Sequence, residues 1–131
     1  MTLSFPNEPL DSAAMNQNSR EALIELLFLS LYMDDHLSLA EDNVLTEALD
    51  SLGWESESAR DNFIFRAFAA SREAFTSLEK AQIFFAERAD TVKRHGDEGA
   101  ALTWLTRVLA ADGLTSTEKY FLGRLEKYFY P

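Results

Sequence analysis

One seven-residue pattern occurs twice in this chain and constrains its architecture more than any other feature. Asp35-His36-Leu37-Ser38-Leu39-Ala40-Glu41 and Asp112-Gly113-Leu114-Thr115-Ser116-Thr117-Glu118 both read Asp-x-Leu-[Ser/Thr]-x-x-Glu, 77 residues apart. At the same offset Leu27 and Leu31 align with Trp104 and Val108, and Leu45 and Leu52 align with Leu122 and Phe129. Each copy follows an apolar helical stretch and opens an amphipathic one. The pattern therefore predicts two matching helical hairpins with acidic elbows, and with them an internal pseudo-symmetry.

The rest of the chain also reads as helix, because apolar positions recur at helical spacing and no window alternates as a strand does. The expectation is an all-α single domain of about six main helices. Residues 1–18, with Pro6, Pro9 and three Asn, read as an N-terminal arm, and 19–131 as the helical domain. The first helix is expected over 20–33, with Ser19 as its N-cap. It is apolar nearly all round and interrupted by Glu25, so it should be central. The second should run from Ser38 to Leu52 and stop at Gly53. The third spans about 57–71, with Asp61 among its N-terminal charges, and the fourth runs from Thr76 to near Arg94. Lys93, Arg94 and His95 suit the negative end of that helix, and Gly96 suits its stop. The fifth covers about 97–111 and should share the central position of the first. The sixth follows Thr115 and ends near Phe129. Six Phe between positions 63 and 85 read as core. The aromatic end, Tyr128-Phe129-Tyr130, either docks on that core or faces a partner.

Composition narrows the chemistry. The chain has 131 residues, 47% of them hydrophobic, which suits one globular domain. It has no cysteine, so disulfides, thiolate catalysis and cysteine zinc sites are excluded. The stretch 22–33 is too short to span a bilayer, and the N-terminus lacks a signal-peptide pattern. A cytoplasmic location without direct membrane insertion is expected. Net charge is −10, and residues 1–60 hold twelve of the 22 acidic residues but two of the 12 basic ones. That half should repel nucleic acid and attract cations or a basic protein partner. No phosphate loop, dinucleotide fingerprint or nucleophile elbow is present, and no enzymatic activity is expected.

The elbows have two physical readings. Ser38-x-x-Glu41 and Thr115-x-x-Glu118 are capping boxes, as is Thr76-Ser77-Leu78-Glu79, which lacks a preceding Asp. The Asp residues ask for more. Asp34, Asp35 and Asp112 fall at the C-terminal ends of apolar helices, where the macrodipole opposes a carboxylate by roughly 0.3–1 kcal/mol. A bound cation would compensate, and the free carbonyls of the last turn would add oxygen ligands. The alternative is that the Asp residues form the turn by accepting their own downstream amides. The loop is too short for an EF-hand. The candidate ligands are Asp35, Glu41, Asp112 and Glu118, supported by Asp34 and Asp42. Such a set suits Ca²⁺ or Mg²⁺, bound weakly, on the order of 10⁻⁴–10⁻³ M. His36 is not a repeated ligand, since its counterpart is Gly113.

This arrangement resembles the TerB-like family of tellurite-resistance-associated proteins. That family has two acidic elbows of the form Asp-[Gly/x]-x-[Leu/Ile/Val]-[Ser/Thr]-x-x-Glu, one in each half of a pseudo-two-fold helical fold. In the first half Asp34 through Glu41 fits, with Asp35 where Gly is common. In the second, Ala111 through Glu118 is one residue tighter between acid and Leu. The resemblance extends over about 20–129. It implies cation binding by these acids and a link to tellurite or general stress resistance. Without cysteine, direct thiolate chemistry on tellurium compounds is not expected.

Overall fold

The computed structural model describes residues 15–33, 50, 60–110 and 113–131. Among them the chain is all-helical, with no strand and five helices: α1 (Gln17–Met33), α2 (Arg60–Ala74), α3 (Leu78–Arg94), α4 (Glu98–Leu109) and α5 (Ser116–Phe129). The helix expected over 38–52 lies outside the described residues except for Asp50, which is helical.

α1 is the axis of the fold and packs against all four other helices. Eleven of its residues are buried, among them Leu23, Ile24, Leu26, Leu27, Phe28 and Leu29 on every side of the helix. A helix apolar all round has no face that water would stabilise, so its neighbours must enclose it. Its start differs from the sequence expectation. Asn16 caps it, accepting from the Asn18 N–H at 2.8 Å. Ser19 lies inside the helix, fully buried, and its hydroxyl makes no hydrogen bond. Asn16 outcompetes Ser19 because its Oδ1 reaches the second amide of the turn. Met15, just before the cap, is also buried.

The helix expected to share the central position, α4, does not. It buries one face, Ala101, Trp104, Leu105 and Leu109, while Thr103, Thr106 and Arg107 are exposed. One polar residue per turn is enough to give it a wet side.

Four of the six Phe are core. Phe63, Phe84 and Phe85 are buried, and Phe68 stacks on Phe28 with ring centroids 4.2 Å apart. Phe65 and Phe75 are exposed instead, at 78% and 47%. Phe65 lies two residues from Phe63, which on a helix is about 200° round the axis and so on the opposite face. Phe85 meets Phe121 and Tyr128 edge to face, at 5.4 and 5.9 Å. These contacts bring the chain end onto the core, where Phe129 is buried and Tyr130 stays exposed.

The helix ends are locally determined. At the end of α3 the Gly96 N–H donates to Lys93 O at 3.0 Å and the Asp97 N–H to Val92 O at 3.1 Å. That is a Schellman motif, and it requires the left-handed φ of 71° that Gly96 supplies. The start of α3 lies one residue later than the motif suggested. Ser77 is the N-cap, accepting from the Lys80 N–H at 3.0 Å, while the Thr76 hydroxyl donates to Glu73 O at 2.6 Å. With Lys80 at the third position there is no reciprocal box, and Glu79 serves as a first-turn charge. None of the helices among the described residues is long and apolar enough to cross a membrane.

Candidate functional site

The second elbow connects α4 to α5. Its turn is made by Gly113 at φ 87°, whose N–H donates to Ala110 O at 2.9 Å. Thr115 then adopts an extended backbone and caps α5. Its hydroxyl accepts from the Glu118 N–H at 3.1 Å, and Glu118 Oε1 accepts from the Thr115 N–H at 3.0 Å. Here the reciprocal capping box is complete. Glu118 is 5% exposed, so a carboxylate has been taken out of water at the base of the elbow. The positive end of α5 and the cap amide offset that desolvation. Since an ionised carboxylate offers about four acceptor positions, the single cap bond leaves the group able to take a further partner.

Glu118 is the one predicted ligand among the described residues. Asp34, Asp35, Glu41, Asp42 and Asp112 lie outside them. Within the described residues, no group of three or more His, Cys, Asp or Glu side chains could hold a metal ion.

A second polar site was not among the sequence candidates. α1 and α3 run antiparallel and leave between them a cleft of about 310 Å³. Its centre is an ion pair. Glu25 accepts from Arg88 Nε at 3.3 Å and from Arg88 Nη2 at 3.4 Å. Arg88 also donates through Nη1 to Glu87 Oε1 at 2.8 Å, and its guanidinium lies 3.8 Å from the Phe84 ring centre. The stacked ring fixes the plane of the guanidinium and shields one face from water. The Glu25 and Arg88 side chains are only 17% and 22% exposed. Burial pushes the Glu25 carboxyl above its ordinary range, outweighing the opposing pull of Arg88 and Arg66, and Glu21 pushes the same way. On the far side of α1, the Ser71 hydroxyl donates to the Glu25 carbonyl at 3.3 Å and ties α2 to the same turn. The sequence signal for this site is Glu25 itself, the one charge within 22–33. Its partner lies 63 residues away and has no local mark.

Comparison of the chain with protein-family models, curated proteins and solved structures gave no match.

Proposed function

We propose that this chain is a non-catalytic helical module that binds a divalent cation, Ca²⁺ or Mg²⁺, at its acidic elbows. The observation that carries the reading is the state of Glu118. It is buried, oriented by a complete capping box, and set beside a turn whose preceding residue in the motif is another acid. A carboxylate already desolvated and fixed loses little further entropy on ligation. Asp112 and the last carbonyls of α4 would complete one half-site. Asp34, Asp35, Glu41 and Asp42 would form the other, related by the 77-residue repeat. Leu27 and its counterpart Trp104 are both buried, although α4 buries one face where α1 is enclosed all round. With this goes the family reading, a TerB-like domain with a link to tellurite or stress resistance, which rests on the motif.

The test is thermal unfolding of metal-stripped protein titrated with Ca²⁺, Mg²⁺, Mn²⁺ and Zn²⁺, alongside the double variant Asp35→Asn/Asp112→Asn. A ligand specific to the folded state raises the midpoint. A rise in the parent protein that is lost in the double variant is the expected result. An equal rise in both removes the elbows as the site.

A second reading follows from the charge asymmetry: the acidic N-terminal half docks a basic protein partner. Glu25 contributes nothing to such a face, being held by Arg88. Binding that maps to residues 1–60 and weakens steeply with salt would favour it over the cation site.

A further inference from the structure

A short apolar cleft opens where α1, α3 and α5 meet. Leu29, Phe85 and Phe121 lie deep in it, and Leu78 and Tyr120 stand exposed at its rim. Arg124 is the charged side chain among the described residues that line it, and no carboxylate is among them. Its guanidinium lies 5.4 Å from the Phe85 ring centre and 5.9 Å from that of Tyr120. The two rings hold it in place but take none of its N–H donors, which face water. Among the described residues Arg124 makes no ion pair. The groove between α2 and α3 makes a useful contrast. It too has an exposed apolar side chain, Ile83, but its cation Lys80 is already bonded to Glu73 at 2.7 Å. Only in the first groove does an oriented cation beside apolar surface lack a carboxylate.

The size of the cleft, about 60 Å³, selects the kind of occupant. That is less than half of the roughly 150 Å³ that holds a benzene molecule, and far below the roughly 300–1,000 Å³ of small-molecule pockets. It takes one side chain, not a whole ligand. We infer that the cleft docks an acidic amphipathic helix of a protein partner. One apolar side chain of that helix enters between Leu29, Phe85 and Phe121, and a carboxylate one turn away pairs with Arg124. Side chains a turn apart on one face are about 5–6 Å from each other, the spacing at which α5 itself presents Tyr120 and Arg124. Charge decides against the other helices. Covering the cleft strips water from Arg124, so a neutral helix would leave a desolvated cation and a basic one would repel it. Tyr and Arg beside an apolar pocket are also the side chains that most often anchor protein interfaces. α3 and α5 come from residues 61–131, where ten acids meet ten bases, and repulsion from the acidic half is screened beyond about 8 Å at physiological salt. The surface is independent of the elbows and of any bound cation.

The experiment is an amide NMR titration of the labelled full chain in metal-free buffer. The probe is a synthetic capped helix of leucine and glutamate, with leucines at i, i+4 and i+7. Its controls carry lysine for glutamate, or serine for leucine. Saturable shifts are expected at residues 78–85 and 120–124 with the acidic peptide and not with either control. Arg124→Gln should weaken binding about tenfold, the loss of one charge-assisted contact, and Leu78→Ser should weaken it as well. Both residues are exposed, so the fold is kept, and the amide spectrum of each variant checks it. Absence of saturable shifts at these residues overturns the inference. So does equal binding of either control peptide, or binding that Arg124→Gln leaves unchanged. Sedimentation of the chain alone tests the other occupant: self-association that Arg124→Gln abolishes would put a second copy in the cleft and overturn the foreign helix.

Discussion

α1 and α3 are both seventeen-residue helices, and they lie against each other, yet they are specified in opposite ways. α3 carries its own instructions: Ser77 at the cap, Glu79 in the first turn, Lys93 and Arg94 in the last, and Gly96 at the stop. It buries only Phe84, Phe85, Ala89 and Val92. α1 has no acid in its first turn and no base in its last, and it buries eleven residues. Its conformation is imposed by the helices around it. The lesson is that burial and local signalling substitute for one another, and the residue most enclosed by tertiary packing is least marked in its own neighbourhood.

The largest effect expected from this contrast is at Phe28, fully buried and stacked on Phe68. Phe28→Ala should cost about 3–5 kcal/mol in urea unfolding, whereas Ile83→Ala on α3, 52% exposed, should change stability by less than about 1 kcal/mol. Comparable costs at the two positions would end the distinction.

Next come the caps. Thr115→Ala removes one half of the box and should cost about 1 kcal/mol, as should Ser77→Ala at α3. Thr76→Ala should cost less than Ser77→Ala, since Thr76 bonds a carbonyl of the preceding helix rather than an amide of α3. A larger loss at Thr76 would restore the motif's original register.

A subtler test lies in pH. Glu25 faces Arg88 and Glu87 from α3, Glu21 from its own helix and Arg66 from α2. Its carboxyl is raised from 4.5 chiefly by burial. The folded protein therefore holds this proton more tightly than the unfolded chain. Glu25's contribution to stability is complete below 4.5 and is lost as pH rises through the raised value. Denaturant unfolding of the parent and of Glu25→Gln across that window should show the parent losing ground to the variant as pH increases. A parent that gains on the variant would mean that Arg88 outweighs desolvation.

The smallest effect is at Leu78, 75% exposed at the start of α3. Leu78→Ser should be neutral to within about 0.5 kcal/mol.

Much of the fold was legible because its punctuation is chemical. Gly96, Thr115 and the basic turn at Lys93 mark boundaries that the structure keeps. Glu118 was legible as both cap and candidate ligand, because Thr115-x-x-Glu118 states a reciprocal bond in four residues. Ser77 was misread as Thr76, because two hydroxyls in a row offer two registers and only backbone geometry chooses. Phe65 was misread as core because composition does not report a helix face. The Glu25–Arg88 pair stayed hidden because its partners meet only when α1 and α3 pack. Glu25 announced a site without saying to what it was bound.

The central claim, that the elbow carboxylates bind a cation as well as cap a helix, is tested most directly at Glu118→Gln. Glutamine can keep the capping bond to the Thr115 amide while removing the charge. The measurement is the unfolding midpoint of parent and variant, metal-stripped and then in millimolar Ca²⁺ or Mg²⁺. The account predicts similar metal-free midpoints, a cation-induced rise of several degrees in the parent, and little or none in the variant. A full rise in Glu118→Gln would contradict it and leave Glu118 as a helix cap.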